Sequence, residues 1–182
     1  MEELTDESLM LNVKQGKLAD MGELFERYQV KLYNFFLKLT FDRSASEDLT
    51  QTVFYRLIKY RHSFDVAEGS FKSWMYKIAR NVHFDHSKEK QKNAEQLKEL
   101  ELVHEGTNDV TGNTPADDEQ IHKLNLALLR MQPDQRELIV LSRFEGLKYG
   151  EISRISGKSV VAIKVQVHRA IKQLRNIYFN LQ

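Results

Sequence analysis

The stretch LKYGEISRISGKSVVAIKVQVHRAIKQL, Leu147–Leu174, carries its own punctuation. A short helix, Tyr149 to Ile155, is predicted ahead of Ser156-Gly157-Lys158-Ser159. Gly157 has the conformational freedom that a tight turn with positive φ requires. Ser159 offers a hydroxyl to the orphan amides of a second helix, Val160 to about Arg175. Along that helix Val160, Ile163, Val167, Ala170, Ile171 and Leu174 share the face expected to pack inward, and Val161, Lys164, Val165, His168, Arg169 and Lys172 share the other. Two helices joined by a glycine turn, the second amphipathic, predict a helix-turn-helix.

Upstream, Leu124, Leu128, Leu129 and Met131 form one helix before Pro133. Pro133 suits the first turn of the next, Asp134 to Phe144, and Gly146 stops it. The N-terminal half is also periodic in the helical sense. Leu4 to Lys14 reads as a short helix capped by Thr5. Gly22 to Thr40 repeats Leu24, Phe25, Tyr28, Leu32, Phe35, Phe36 and Leu39 at three- and four-residue steps. Ser44-Ala45-Ser46-Glu47 fits a capping box for a helix running to about Tyr60, which buries Leu49, Val53, Phe54, Leu57 and Ile58. After a loop, Arg61 to Ser70, Ser70 caps a helix from Phe71 to about Lys90. Its apolar positions are Phe71, Trp74, Met75, Ile78, Val82 and Phe84.

The chain of 182 residues has two prolines and eight glycines, few enough to favour long helices. It has no cysteine, which excludes disulfides and thiolate chemistry. No run approaches the roughly 20 apolar residues of a membrane helix, and the acidic, amphipathic N-terminus is unlike a signal peptide. The total charge of +1 hides a pattern: Met1–Met21 sums to −3, Gly22–Lys92 to +4, Asn93–Ile121 to −7 and His122–Gln182 to +7. Two basic blocks flanking an acidic connector imply two modules with affinity for polyanions. Around Glu105-Gly106-Thr107-Asn108-Asp109 and Thr111-Gly112-Asn113-Thr114-Pro115 the connector has too little apolar surface to offset ordering entropy. The expected architecture is all-α: a helical domain over 1–93, a flexible acidic linker over 94–116, and a helix-turn-helix domain over 117–182.

From Lys148 to Arg175 seven basic residues accompany one acid, Glu151. A helix entering a DNA major groove needs such cations to neutralise phosphates, and an exposed valine can sit on a thymine methyl group. A plain helical hairpin with a solvated basic face satisfies the same bare pattern. In the first block Phe64, Phe71, Trp74, Tyr76 and Phe84 lie among Arg61, Lys72, Lys77, Arg80, Lys88, Lys90 and Lys92. Aromatic rings beside cations suit single-stranded nucleic acid, whose bases stack on rings. Taken singly, Phe71, Trp74 and Phe84 also read as core residues at helical spacing, and Trp74 is able to serve both ends.

Glu47-Asp48-Leu49-Thr50-Gln51-Thr52-Val53-Phe54, followed by Phe71-Lys72-Ser73-Trp74-Met75-Tyr76-Lys77-Ile78-Ala79-Arg80-Asn81, resembles region two of the extracytoplasmic-function sigma factors of the sigma-70 family. Gly146-Leu147-Lys148-Tyr149-Gly150-Glu151-Ile152 with Ile163-Lys164-Val165-Gln166-Val167-His168-Arg169-Ala170 resembles their region four. The order, the acidic linker and the length match as well, so the resemblance covers nearly the whole chain.

That resemblance implies a factor that binds core RNA polymerase and directs it to promoters with −10 and −35 elements. It implies that the helix Ser46 to Tyr60 docks on the clamp helices of the largest polymerase subunit, through Asp48, Gln51, Thr52, Tyr55 and Arg56, and that the flap of the second-largest subunit is a further contact. The same side chains also read as the solvated face of an amphipathic helix. The −10 strand would be met by Phe64, Ser70, Lys72, Trp74, Lys77, Arg80, Asn81, His83 and Lys88, with a flipped base captured near Trp74. The −35 duplex would be read by Lys158, Ser159, Lys164, Val165, His168, Arg169 and Lys172. The linker, Glu95 to Glu119, either threads polymerase channels as an RNA mimic or acts as a solubilising tether. An anti-sigma factor is a further implied partner, the cytoplasm the implied location, and no cofactor is implied.

Two departures stand out. The family often has Gly-Thr-Val then Lys-Ser-Arg at the start of the recognition helix; here Val161-Ala162-Ile163 precedes Lys164-Val165-Gln166, which alters the expected −35 sequence and not the fold. The basic run after region two is diluted to Ser87-Lys88-Glu89-Lys90. Three other readings fit parts of the sequence. An enzyme is disfavoured by the lack of a phosphate loop or nucleophile elbow, and His83 with His86 is a weak metal pair. A DNA-binding regulator would hold its operator without polymerase. A helical sigma-sequestering protein would support no transcription.

Overall fold

The computed structural model describes residues 4–97 and 115–181, all-α with no strand among the described residues. The linker expected to be flexible falls largely outside them. Four helices form a first module: α1 (Asp6–Lys14), α2 (Asp20–Thr40), α3 (Arg43–Lys59) and α4 (Phe71–Leu97), with a 3-10 turn at Arg61–Ser63 between the last two. Four more form a second: α5 (Pro115–Leu129), α6 (Pro133–Ile139), α7 (Tyr149–Ser156) and α8 (Val160–Asn180).

The local signals act mostly as expected. The Thr5 hydroxyl accepts the Ser8 amide at 3.2 Å, Ser70 accepts that of Ser73 at 3.2 Å, and Ser159 accepts that of Ala162 at 3.2 Å. Each satisfies a donor that the first helical turn leaves orphaned. The start of α3 differs. Phe41 closes α2 in the left-handed region at φ 55°, so the chain has already turned when it reaches Asp42. The Asp42 carboxylate then caps α3 by accepting the Ala45 amide at 3.0 Å. The expected Ser44–Glu47 box is not formed: Ser46 lies buried inside the helix and donates to the Asp42 carbonyl.

The helix after Pro133 also differs from its expected course. It is α-helical only to Ile139 and widens into a π turn over Val140–Phe144, where the Glu145 amide reaches the Val140 carbonyl at 3.0 Å. Gly146 at φ 65° ends it. A π turn inserts an extra residue and rotates the side chains beyond it, and here it aims Glu145 inward. Gly157 takes φ 71° at the turn between α7 and α8. α4 and α8 both continue past their expected ends, at Lys90 and Arg175.

Leu9, Met10, Leu24, Leu32, Phe35, Phe36, Leu57, Phe64, Phe71, Met75 and Tyr76 are fully buried in the first module. Each large side chain removed from water contributes about 1.5–3 kcal/mol. The same apolar cluster continues into the second module through Leu138, Val140, Leu141, Leu147, Ile152, Ile155, Ile163 and Val167. The modules therefore share a core. Three apolar positions expected to face inward do not: Phe84 is 55% exposed, Val160 47% and Phe25 37%. Phe25 packs on Phe54 with ring centroids 4.7 Å apart, and Phe84 lies 4.5 Å beneath the Lys88 ammonium. Each ring is half covered without entering the core.

Candidate nucleic-acid interface

Three surfaces carry the residues singled out in the sequence. On α3 the buried side is Ser46, Leu49, Thr50, Val53, Phe54 and Leu57. The opposite side leaves Asp48 and Gln51 exposed and Tyr55 64% exposed, with Thr52 and Arg56 half-buried at the margin. Arg56 pairs with Asp85 of α4 at 2.9 Å. Together with Asp48, Thr52, His86 and Glu89 they line a shallow cleft of about 250 Å³ between the two helices. All five α3 residues expected to meet a partner thus share one side of the helix.

α4 bears two polar faces. Lys77, Asn81 and Lys88 are exposed along one, and Trp74 sits half-buried at its start. Trp74 packs on Phe64 at 5.3 Å and on Phe71 at 6.3 Å, and it borders an open cleft of about 370 Å³ with Asp65, Glu68, Ser73, Lys77 and Arg154. The ring is supported from behind and open in front, which suits stacking on a base. Phe64 is fully buried and supplies the support, with no surface of its own to offer.

The second face carries Lys72, Tyr76, Arg80 and His83 at three- and four-residue steps, and the second module covers it. The Lys72 ammonium donates to the Glu145 carbonyl, and the Tyr76 hydroxyl donates to the Glu145 carboxylate. Arg80 Nε donates to Glu137 at 3.1 Å. At the N-terminus of α4, Ser70 Oγ donates to Glu151 at 3.0 Å. Burial pushes the Glu145 and Glu137 carboxyls above their usual range, against the opposing pull of Tyr76 and the nearby lysines on the first and of Arg80 on the second. His83 is held neutral, its pKa lowered to about 4 first by burial and then by His86, Arg136 and Arg80. No group of three or more side chains that could hold a metal ion occurs among the described residues.

The third surface is α8. Ile163, Val167 and Ala170 are buried, while Lys164, His168, Arg169 and Lys172 are exposed, Val161 is 73% exposed and Val165 43%. Lys158 and Ser159 stand exposed at its N-terminus, where Lys158 Nζ reaches Gln166 at 3.2 Å. All seven residues expected to read a duplex therefore lie on one open side of the helix-turn-helix.

Sequence reasoning does not single out Arg136, Glu137, Glu145 or Arg154. Arg136 is buried in the second module yet donates across the contact to the Leu39 carbonyl at 2.9 Å, with the Phe41 ring 5.0 Å away. Arg154 donates to the Glu68 carbonyl at 3.2 Å. One signal for the glutamates is present in the sequence. Between His122 and Gln182 the only acids are Asp134, Glu137, Glu145 and Glu151.

An all-helical pair of modules, with an aromatic-backed cationic helix in one and a basic helix-turn-helix in the other, defines a nucleic-acid-binding architecture. Comparison with known proteins makes it specific. The family described as "Sigma-70 region 2" matches residues 24–93, and "Sigma-70, region 4" matches residues 121–174. The chain belongs to the sigma-70 family, as a sigma factor of the extracytoplasmic-function type.

Among its relatives, the sigma factor BldN of Streptomyces coelicolor is 28% identical over 173 residues, which span 93% of this chain and 64% of BldN. SigM of Bacillus subtilis is 28% identical over 162 residues, 87% of this chain and 94% of SigM. The fold is that of the sigma factor RpoE from Bartonella quintana, solved with the anti-sigma factor NepR, at TM-score 0.71 and 20% identity over 90% of this chain and 99% of RpoE. CnrH, solved with the cytosolic domain of CnrY, matches at TM-score 0.72 and 20% identity, over 97% of this chain and 99% of CnrH.

Proposed function

We propose that this chain binds core RNA polymerase and directs it to start transcription at a particular class of promoter. The observation that carries the reading is the pairing, in order along one chain, of a region-two helix that presents Trp74 at an open cleft with a region-four helix-turn-helix whose basic side is open. In this reading the first domain, 1–93, uses α3 to dock on polymerase and α4 to hold the melted −10 strand. The second, 117–182, uses α8 to grip the −35 duplex. Trp74 stacks on or pockets an extruded base, which offsets the few kcal/mol that unstacking costs. Lys164, Arg169 and Lys172 neutralise phosphates, and Val161 and Val165 supply apolar contact to thymine methyl groups. The chain acts by binding and performs no covalent step.

RpoE was solved with the anti-sigma factor NepR, and CnrH with the cytosolic domain of CnrY. By analogy of fold we extend such a partner to this chain. No helix among the described residues is long and apolar enough to cross a membrane, and we place the chain with polymerase in the cytoplasm. Run-off transcription with core polymerase and a promoter library tests the function. Discrete transcripts that require the chain are expected; a pattern identical to that of core alone overturns it. Tight, specific duplex binding without polymerase would favour an operator-binding regulator instead.

A further inference from the structure

α1 (Asp6–Lys14) carries none of the residues assigned to polymerase or DNA, yet two of its charged side chains reach the backbone beside the Trp74 cleft. The Glu7 carboxylate accepts the Phe71 amide at 2.9 Å, and the Lys14 ammonium donates to the Phe64 carbonyl at 2.6 Å. Glu7 and Lys14 stand in the first and last turns of α1, close to two full helical turns apart, and so share one side of it. Phe64 and Phe71 delimit the segment that leads from the 3-10 turn into α4, and α1 packs against both of those elements. The Glu7 contact satisfies an amide that the opening turn of α4 leaves orphaned, beside the one from Ser73 that Ser70 takes. Both contacts join an ionised group to the backbone, which makes them the stronger kind of hydrogen bond.

α1 is itself firmly seated. Leu9, Met10 and Val13 are buried, Asp6 pairs with Arg27 at 2.7 Å and accepts the Tyr28 hydroxyl, and Asn12 donates to Asp20 at 2.7 Å. The Tyr28 ring in turn meets Phe71 edge-on at 5.4 Å. The two pinned residues are the rings on which Trp74 rests, and Asp65, Glu68 and Gly69, between them, line the cleft. Within the segment the Ala67 and Glu68 amides bond back to Asp65, which folds a local turn without tying it to the helices. Slack at either end therefore moves the lining of the cleft and the support of the indole together. The second module also touches the segment, through Glu151 at Ser70 and Arg154 at the Glu68 carbonyl. The α1 contacts lie wholly within the first module.

We propose that α1 is a positioning element for base selection: Glu7 and Lys14 hold the segment 64–71 in register with Trp74, and so set how sharply the cleft discriminates among bases of the melted strand. The proposal rests on the assignment of α4 to that strand. Both are positioning residues that act through the segment, without contact to the strand. A site that tells one base from another needs its walls held to within about 0.5 Å, and α1 supplies that hold.

Trp74 is the single tryptophan of the chain, so its fluorescence reports the cleft without polymerase or DNA. In the full chain, Glu7→Ala and Lys14→Met should each increase acrylamide quenching of Trp74. Glu7→Gln, which keeps the accepting oxygen, and Lys14→Arg, which keeps a donor, should stay close to wild type. Asp42→Ala removes the cap of α3 and touches neither end of the segment, so it controls for lost stability alone. With core polymerase, output is then compared on templates whose pre-melted −10 segment carries A, C, G or T at successive positions. The ratio between best and worst base should shrink by about fivefold in Glu7→Ala and Lys14→Met, the low end of what one base discriminates, and hold in Glu7→Gln and Lys14→Arg. Quenching equal to wild type, output that falls by the same factor for every base, or the same changes in Asp42→Ala overturns the proposal. A wild-type chain that starts no transcript on any template would count against the sigma-factor reading instead, and the quenching series would still decide whether α1 holds the cleft.

Discussion

α4 and α8 are both amphipathic helices studded with cations, yet the structure treats them oppositely. α8 buries Ile163, Val167 and Ala170 and leaves its lysines, arginine and two valines open to solvent. α4 buries Phe71, Met75, Ile78, Ala79 and Val82 and has one of its cationic sides covered by glutamates from the other module. The contrast matches the ligand each helix would bind. A duplex is always present and needs only an accessible groove-reading face. A single strand exists only after melting, so a face shaped for it gains from being kept out of use until then.

The most severe way to break this arrangement is at Arg136, whose guanidinium serves the Leu39, Leu129 and Met131 carbonyls at 2.9, 3.3 and 3.2 Å. Arg136→Ala strands these buried acceptors and should lower unfolding stability by about 3 kcal/mol in urea titrations, since hydrogen bonds to charged groups are among the stronger ones. Substitutions on the open side of α8, such as Lys164→Ala, should change stability by less than about 0.5 kcal/mol.

Next comes pH. His83 has its pKa lowered from 6.5 to about 4 in the folded chain, so the neutral form is the one the fold accepts. Its contribution is complete above about pH 6.5 and is lost as pH falls towards 4. Across that window the wild type should lose about 3 kcal/mol more than His83→Gln, read from paired denaturation series at each pH. Equal losses would mean that carboxylates alone account for the acid sensitivity.

Smaller effects separate the helices by their ligands. Arg169→Ala should weaken upstream promoter contacts by about 1–2 kcal/mol in footprinting titrations with polymerase and make binding less sensitive to salt. Ser159→Ala should remove the cap at the start of α8 and cost about 1 kcal/mol of stability, visible as a drop in Tm.

Much of the fold was legible in the sequence because it is local. Gly157, Ser159, Ser70 and Thr5 act within one turn of their own position, and the three- and four-residue apolar steps of α2 and α8 need no knowledge of the rest of the chain. The start of α3 shows the limit: Asp42 wins over Ser44 because Phe41 has already left the helix, a backbone event that no side-chain pattern announces. The exposure of Phe84 and Val160 has a similar origin, since periodicity assigns a face but not where the packing surface ends. The contact between modules was out of reach for a stronger reason. Ser70 and Glu151, Tyr76 and Glu145, and Arg80 and Glu137 are far apart in the chain, and nothing in their neighbourhoods pairs them. Only the scarcity of acids in the second block pointed to them.

The division between a strand-gripping helix and a duplex-gripping helix is tested most directly on one promoter presented in two forms, fully paired and with the −10 segment already melted. With core polymerase, Trp74→Ala and Arg169→Ala should each reduce transcription from the paired template. Melting the template in advance should restore most of the output of Trp74→Ala and little of that of Arg169→Ala. Equal rescue of the two variants, or rescue of Arg169→Ala alone, would contradict the assignment of α4 to unwound DNA and of α8 to the double helix.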